Sequence, residues 1–212
     1  MALRAAARRA KDGSMTVLGD MAQATGVAAQ RGWGPLTRAL GFAGSAVRRS
    51  ELTVGYRVPG PILDFANQLL SHTAPELTPA RSIRQRGRRP ELYEVEPASV
   101  VSRVRELVGD LEGEWSTVGV IAPADLIDPI VGDLGDAGVD VADIRSTTAL
   151  DRPVTVLEPA TAKGLEFDAV IVVEPARFAE LANGLRLLYV ALTRAVQRLS
   201  VVHSRPLPAL LT

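Results

Sequence analysis

Short, almost unbroken apolar runs alternate along this chain with stretches whose apolar residues recur at helical spacing. The runs "TVGVIAP", "VTVLEP", "AVIVVEP" and "RLSVVHS" are dominated by Val and Ile, which predicts strands buried on both faces. Between them, "SVVSRVRELVGDL" is amphipathic and "DLIDPIVGDLGDAG" ends at a glycine, the marks of two helices. "ELYEVE" alternates as a strand does, and "VDVADI" reads as an edge strand. "GLRLLYVALTRAV" predicts a helix with Leu185, Leu188, Tyr189, Leu192 and Val196 as its buried stripe.

Nearer the N-terminus the pattern loosens. Residues 3–9 are helix-prone, "SMTVLGD" predicts a short buried strand, and residues 23–40 read as loop with a short helix. "ELTVGYR" suggests a strand and "VPGPILDFANQLL" a helix, with Pro61 in its first turn and Ile62, Phe65, Ala66 and Leu69 on one face. Residues 71–90 lose apolar content and gather Pro and Arg, as an extended surface segment does. Strands alternating with helices predict an α/β fold, a mainly parallel sheet with helices on both faces. Ligands of such sheets bind beyond the carboxyl ends of the strands. The polar residues at the strand mouths are expected there, in one region.

Composition changes the picture only by exclusion. The 212 residues suit one well-buried domain, or one domain with a fragment of a second. Basic and acidic side chains balance at 24 each, so no overall field draws the chain to nucleic acid or membrane. The absence of cysteine excludes disulfides and thiolate metal sites. No apolar run approaches the ~20 residues of a membrane span, and the N-terminus lacks a signal-peptide core. A soluble, cytoplasmic protein is the default expectation. Lys163 stands out as one of two lysines in a chain that uses arginine almost everywhere else.

Four short stretches carry candidate chemistry, each with a bland account beside it. In "TVLGDMAQ", Gln23 lies one turn beyond a strand-end glycine, where an amide can sense a phosphate and orient water. It fits a solvated turn equally well. Arg57, in "GYRVPGPILDFAN", precedes a helix N-terminus and suits a phosphate, or a surface ion pair. In "AKGLEFD", Gly164 permits close or left-handed backbone and Glu166 can accept from ribose hydroxyls, or the loop is simply charged. Arg186 and Arg194 sit about 80° apart around the predicted helix, so both can face one cleft. Arg194 suits an arginine finger, or a cation complementing the helix dipole.

The order of these pieces decides between the accounts. Strand-GD-x-x-Q, YR before a helix, KGLEFD and RLLYVALTRA together resemble motifs III to VI of superfamily 1 helicases of the UvrD/Rep/PcrA type, from about Met15 to Ser204. The resemblance implies a RecA-like fold, with residues 1–45 a remnant of domain 1A and residues 46–212 forming domain 2A. It implies ATP as cofactor, with Gln23, Arg57 and Arg194 near the γ-phosphate and Glu166, beside Gly164, at the ribose. Arg186 matches a further motif VI arginine at the nucleotide. Neither a G-x-x-x-x-G-K-[ST] loop nor an acidic pair before Gly19 is present. The resemblance therefore implies that the phosphate cradle and the Mg2+ ligands belong to a preceding domain 1A, and that this chain alone does not turn over ATP.

Two departures concern nucleic acid. The Thr-x-His that usually precedes motif V is replaced by Glu158 and Ala160, and the 2B insertion is missing between "GVDVAD" and "VTVLEP". Both weaken the expectation of a processive DNA unwinder. A compact member without 2B resembles the HelD group of actinobacteria, which implies RNA polymerase as partner and an ATP-driven remodelling or recycling role. A fragment of a true DNA helicase and a non-catalytic adaptor with a RecA-like fold stand as alternatives. The run Arg81, Arg84, Arg86, Arg88, Arg89 reads as a solvated loop, with a polymerase or phosphate contact as its minority reading.

Overall fold

Six strands make one wholly parallel sheet in a computed structural model of the chain, which describes residues 15–26, 32–41 and 47–211. The strands are β3 (Glu91–Glu94), β4 (Val118–Ile121), β5 (Val141–Asp143), β6 (Val154–Leu157), β7 (Phe167–Val173) and β8 (Ala195–His203). Their order is β3-β8-β7-β4-β6-β5. The Val- and Ile-rich runs take the centre, and the "VDVADI" strand lies at an edge as expected.

The reason is visible along β7. Val170 and Val172 face one hydrophobic cluster, while Ala169, Ile171 and Val173 face the other. Both faces are dry, so the strand carries no polar alternation. On the first face lie α2 (Gly60–Asn67), α3 (Leu70–Thr73) and α7 (Gly184–Leu192), contributing Ile62, Ala66, Leu70, Leu188 and Leu192, with Leu69 between α2 and α3. On the second lie α4 (Val100–Glu112) and α5 (Ala124–Asp136), contributing Val104, Leu107, Leu111, Ile130 and Leu134. Each such side chain, fully buried, contributes about 1.5–3 kcal/mol. A short α1 (Trp33–Leu40), a five-residue α6 (Pro175–Ala179) and a two-stranded parallel sheet of β1 (Val54–Gly55) and β2 (Arg81–Ser82) complete the regular elements.

Three local readings are corrected. Residues 15–20 form no strand, and Leu18 is 87 % exposed. An extended segment becomes a strand only when a neighbour takes its backbone N–H and C=O groups, and no described strand lies beside this one. The helix expected over residues 184–196 stops at Leu192. There Thr193 Oγ1 turns back to Tyr189 O and Val190 O at 2.9 and 3.1 Å, and Ala195 already pairs with Phe167 as β8 begins. Arg194 and Val196 therefore lie outside the helix. The segment 71–90 is mostly exposed as expected, but β2 within it pairs with β1 and buries Ser82. The helix expected over residues 3–9 lies outside the described residues. The link between β5 and β6 spans only residues 144–153, leaving no room for a 2B insertion.

Candidate functional site

The residues of interest meet at the amino ends of β7 and β8, not at the carboxyl ends where parallel sheets usually bind ligands. The cause is the connection between β6 and β7, residues 158–166, which runs from the carboxyl edge of the sheet back to its amino edge. It carries Lys163, Gly164 and Glu166 with it. Gly164 has φ +87°, in the left-handed region that a side chain would strain. Phe167 then enters β7 and lays its ring over Gly119 of β4, so closely that an added Cβ there would sit 2.5 Å from a ring carbon. Asp168, which sequence reasoning passed over, anchors the same strand start. Its Oδ2 accepts from the N–H and hydroxyl of Thr117 at 3.1 and 3.0 Å, and its own N–H donates to that hydroxyl at 2.9 Å. The signal available was an acid at the mouth of an apolar strand.

Around this fixed loop three chain segments converge. Arg57 Nε lies 2.8 Å from Glu166 Oε2, with side chains 45 % and 38 % exposed. Lys163 Nζ donates to the backbone oxygen of Gln23 at 2.8 Å, fastening residues 20–23 to the loop. Arg194 is 5 % exposed. Its Nε donates to Val190 O at 3.0 Å, its Nη1 to Leu165 O at 3.1 Å and its Nη2 to Thr193 Oγ1 at 3.2 Å. All three acceptors are neutral, so among the described residues no carboxylate is bonded to this buried cation. Burial pushes the Arg194 pKa down; the Glu166 charge works against that, while Arg57 adds to it. Burial and the Asp20 charge raise the Tyr189 hydroxyl to about 12, so it stays protonated. A cation buried without a paired anion is costly, and it leaves part of a five-donor fork unused.

Arg186 does not join this group. It sits in the first turn of α7, donates from Nη2 to Thr73 O at 2.6 Å and lines a cleft of about 500 Å³ with His72, Asn183 and Leu185. Arg194 lies beyond the other end of α7, eight residues and about 12 Å along the axis. The shared cleft expected for the two arginines is therefore absent, because Arg194 has left the helix.

The carboxyl edge is chemically different. Asp125, Glu158 and Glu180 line a second cleft of about 310 Å³. Arg177 in the same cleft is paired to Asp125 at 2.6 Å, and Arg205 is paired to Glu180 at 3.0 Å. Glu174, 3 % exposed with φ +53°, accepts from Ser204 N–H at 2.7 Å. Within the arginine run, Arg81, Arg86 and Arg89 are exposed, and Arg88 lies 3.8 Å from Glu114. Arg84 is partly buried and bonded.

Residues 153–202 match the family model of the UvrD-like helicase C-terminal domain. That span includes Glu166, Arg186 and Arg194. No curated protein matches the chain. Among solved structures, the chain is similar to the C-terminal domain of a possible DNA helicase from Lactobacillus plantarum WCFS1, with 26 % identity, a TM-score of 0.58, and coverage of 74 % of this chain and 92 % of that one. Weaker likenesses are to the Pyrococcus furiosus Hef helicase domain (16 % identity, TM-score 0.36) and to Arterivirus nonstructural protein 10, a helicase, in complex with DNA (22 %, 0.40). They cover 48 % and 57 % of this chain, which spans only 24 % and 31 % of those two. Residues 153–202 are thus similar to a UvrD-like helicase C-terminal domain, and the Lactobacillus likeness extends over the parallel α/β fold as a whole.

Proposed function

We propose that this chain supplies the second half of a composite ATP site, closing over a P-loop-bearing domain 1A that precedes it. In this reading residues 1–45 belong to domain 1A and residues 46–212 form domain 2A. The observation that carries it is Arg194, a buried guanidinium held, among the described residues, by neutral acceptors and flanked by Arg57 and Glu166. A site built this way suits an anion that brings its own negative charge.

ATP fits the donor set. Arg57 and Arg194 would hold the terminal phosphate, Glu166 the ribose, and Gln23 the water beside them, while Arg186 stands apart from the group. Bound ATP supplies the transferable phosphoryl group; its Mg2+ would be held by residues outside this chain. The residues here position and neutralise charge, which is most of what phosphoryl transfer asks of a protein. The Arg57–Glu166 pair occupies both side chains, so contacts to phosphate and ribose would replace it.

The test is steady-state ATP hydrolysis by the full-length protein containing this chain, with Arg57→Ala and Arg194→Ala variants. Loss of turnover in both supports the reading, and unchanged turnover in both overturns it. The 212-residue chain alone is expected to show none.

A second reading concerns output. The comparisons name helicase C-terminal domains, which a DNA helicase fragment fits; a HelD-type ATPase acting on RNA polymerase rests on the compact chain without a 2B insertion. Glu158 at the carboxyl edge, where Asp125 and Glu180 are already paired to arginines, weighs against the DNA reading, because a carboxylate repels a phosphate backbone. ATPase activity strongly stimulated by single-stranded DNA would reverse that preference.

A further inference from the structure

Arg84 belongs to an arginine run that reads as solvated, yet its guanidinium makes three hydrogen bonds to protein. Nη1 donates to Arg57 O at 2.5 Å and to Val196 O at 2.8 Å, and Nη2 donates to Gln197 Oε1 at 2.6 Å. Val196 and Gln197 lie two and three residues after Arg194, at the start of β8. The same short segment grips the Arg57 loop elsewhere. Ser82 Oγ donates to Val58 O at 2.6 Å and accepts the Arg84 N–H at 3.0 Å, and Gly60 N–H donates to Arg84 O at 2.8 Å. Three stretches far apart in sequence, 57–60, 82–84 and 194–197, are thus joined through one side chain.

We propose that Arg84 is a positioning residue for the nucleotide site: its planar fork locks the backbone of Arg57 to the start of β8 and so sets the spacing between Arg57 and Arg194. The inference rests on the composite ATP site above. Arg57 and Arg194 carry like charge, so their closeness is unfavourable in itself and has to be held by other contacts. Arg84 adds a further positive charge to this neighbourhood, which helps neither neighbour electrostatically. Its three acceptors are two carbonyls and a side-chain amide, so its contribution is geometric. Nη1 takes both carbonyls while Nη2 takes the Gln197 amide, so the fork fixes the orientation of Nη1; a lysine's single ammonium on a flexible stem has no second nitrogen to do this.

The test uses the full-length ATPase with Arg84→Lys, Arg84→Gln and Gln197→Leu, each normalised to the folded fraction by thermal denaturation. The two Arg84 variants are expected to lose about 10–100-fold in kcat, the scale of an ångström-sized misplacement. KM for ATP should stay within about threefold, since the P-loop supplies most ground-state contacts. Gln197→Leu, which leaves Arg84 in place, should lower kcat less, and combining it with Arg84→Gln should fall short of the product of the two losses. Wild-type kcat in Arg84→Lys, or losses that simply multiply, overturns the positioning role. Should Arg57→Ala and Arg194→Ala leave turnover intact, the ATP reading fails and this inference with it. If those two abolish turnover while Arg84→Lys does not change kcat, only the inference fails.

Discussion

The two edges of one parallel sheet differ in kind. At the amino edge, Arg57, Lys163 and Arg194 meet, Glu166 is bonded to Arg57, and Arg194 is buried with no bonded counter-ion among the described residues. At the carboxyl edge, Asp125, Glu158 and Glu180 line the cleft, and Arg177 and Arg205 are each spent on a carboxylate. The general rule for α/β sheets points to the carboxyl edge. Charge points the other way for an anionic ligand. The difference teaches that strand direction does not locate a site when a connection carries its residues back across the sheet, as residues 158–166 do here.

The sharpest way to break this comparison is a pair of arginine substitutions at the two ends of α7. Under the proposed ATP reading, Arg194→Ala in the full-length protein should lower kcat for ATP hydrolysis by about 10³-fold or more, the range seen when an arginine facing a transferring phosphoryl group is lost. Arg186→Ala, at the far end, should leave kcat within about threefold. Equal losses would mean that both edges serve the nucleotide.

A backbone substitution comes next. Gly119→Ala would drive a methyl into the Phe167 ring and should cost about 1–3 kcal/mol in urea denaturation. Because Phe167 follows Glu166 directly, the same variant should weaken the amino-edge function beyond its loss of folded protein. A variant of unchanged stability would show that Phe167 does not depend on the missing Cβ.

Changing the carboxyl edge should have a smaller effect. Glu158→Thr with Ala160→His removes a carboxylate from the cleft and should raise affinity for single-stranded DNA several-fold. The salt dependence, plotted as log K against log salt, should steepen by about 0.7 if one further phosphate contact forms. An unchanged affinity would indicate that Glu158 is not what keeps nucleic acid away.

Smallest is an acid limit on stability. The hydrogen bond from Arg177 holds the Asp125 carboxyl below its ordinary range, outweighing burial. A depressed carboxylate pKa contributes stability that is complete above the unfolded value of about 3.9 and is lost as pH falls through the lower folded value. With Asp125 largely exposed, solvent screening keeps that contribution under about 1 kcal/mol. Arg177→Leu should abolish this part of the pH dependence, measured as the shift in urea midpoint between pH 5 and pH 2.5.

Much of the architecture was legible in the residues alone. A Val–Ile run can be buried on both faces only inside a helix-covered parallel sheet, so β4, β6, β7 and β8 followed from apolar pattern. Amphipathic spacing marked α4 and α5, and Pro61 with Ile62, Ala66 and Leu69 marked the helical stretch of α2 and α3. The order of the four motifs likewise named the residues worth following, because spacing along the chain is local information.

What the sequence could not decide is which of those residues meet. Whether Arg194 is helical depends on where β8 begins, and that is set by the register of Ala195 opposite Phe167. Residues 15–20 have the pattern of a strand but no described neighbour to pair with, so pattern alone misled there. Arg84 looked like any other member of an exposed run until folding brought carbonyls from residues 57 and 196 within reach of one guanidinium. Periodicity determines which face of an element is dry. Only the closed fold determines which distant backbone groups a long polar side chain can bridge, because those contacts depend on how the elements pack and not on spacing within any one of them.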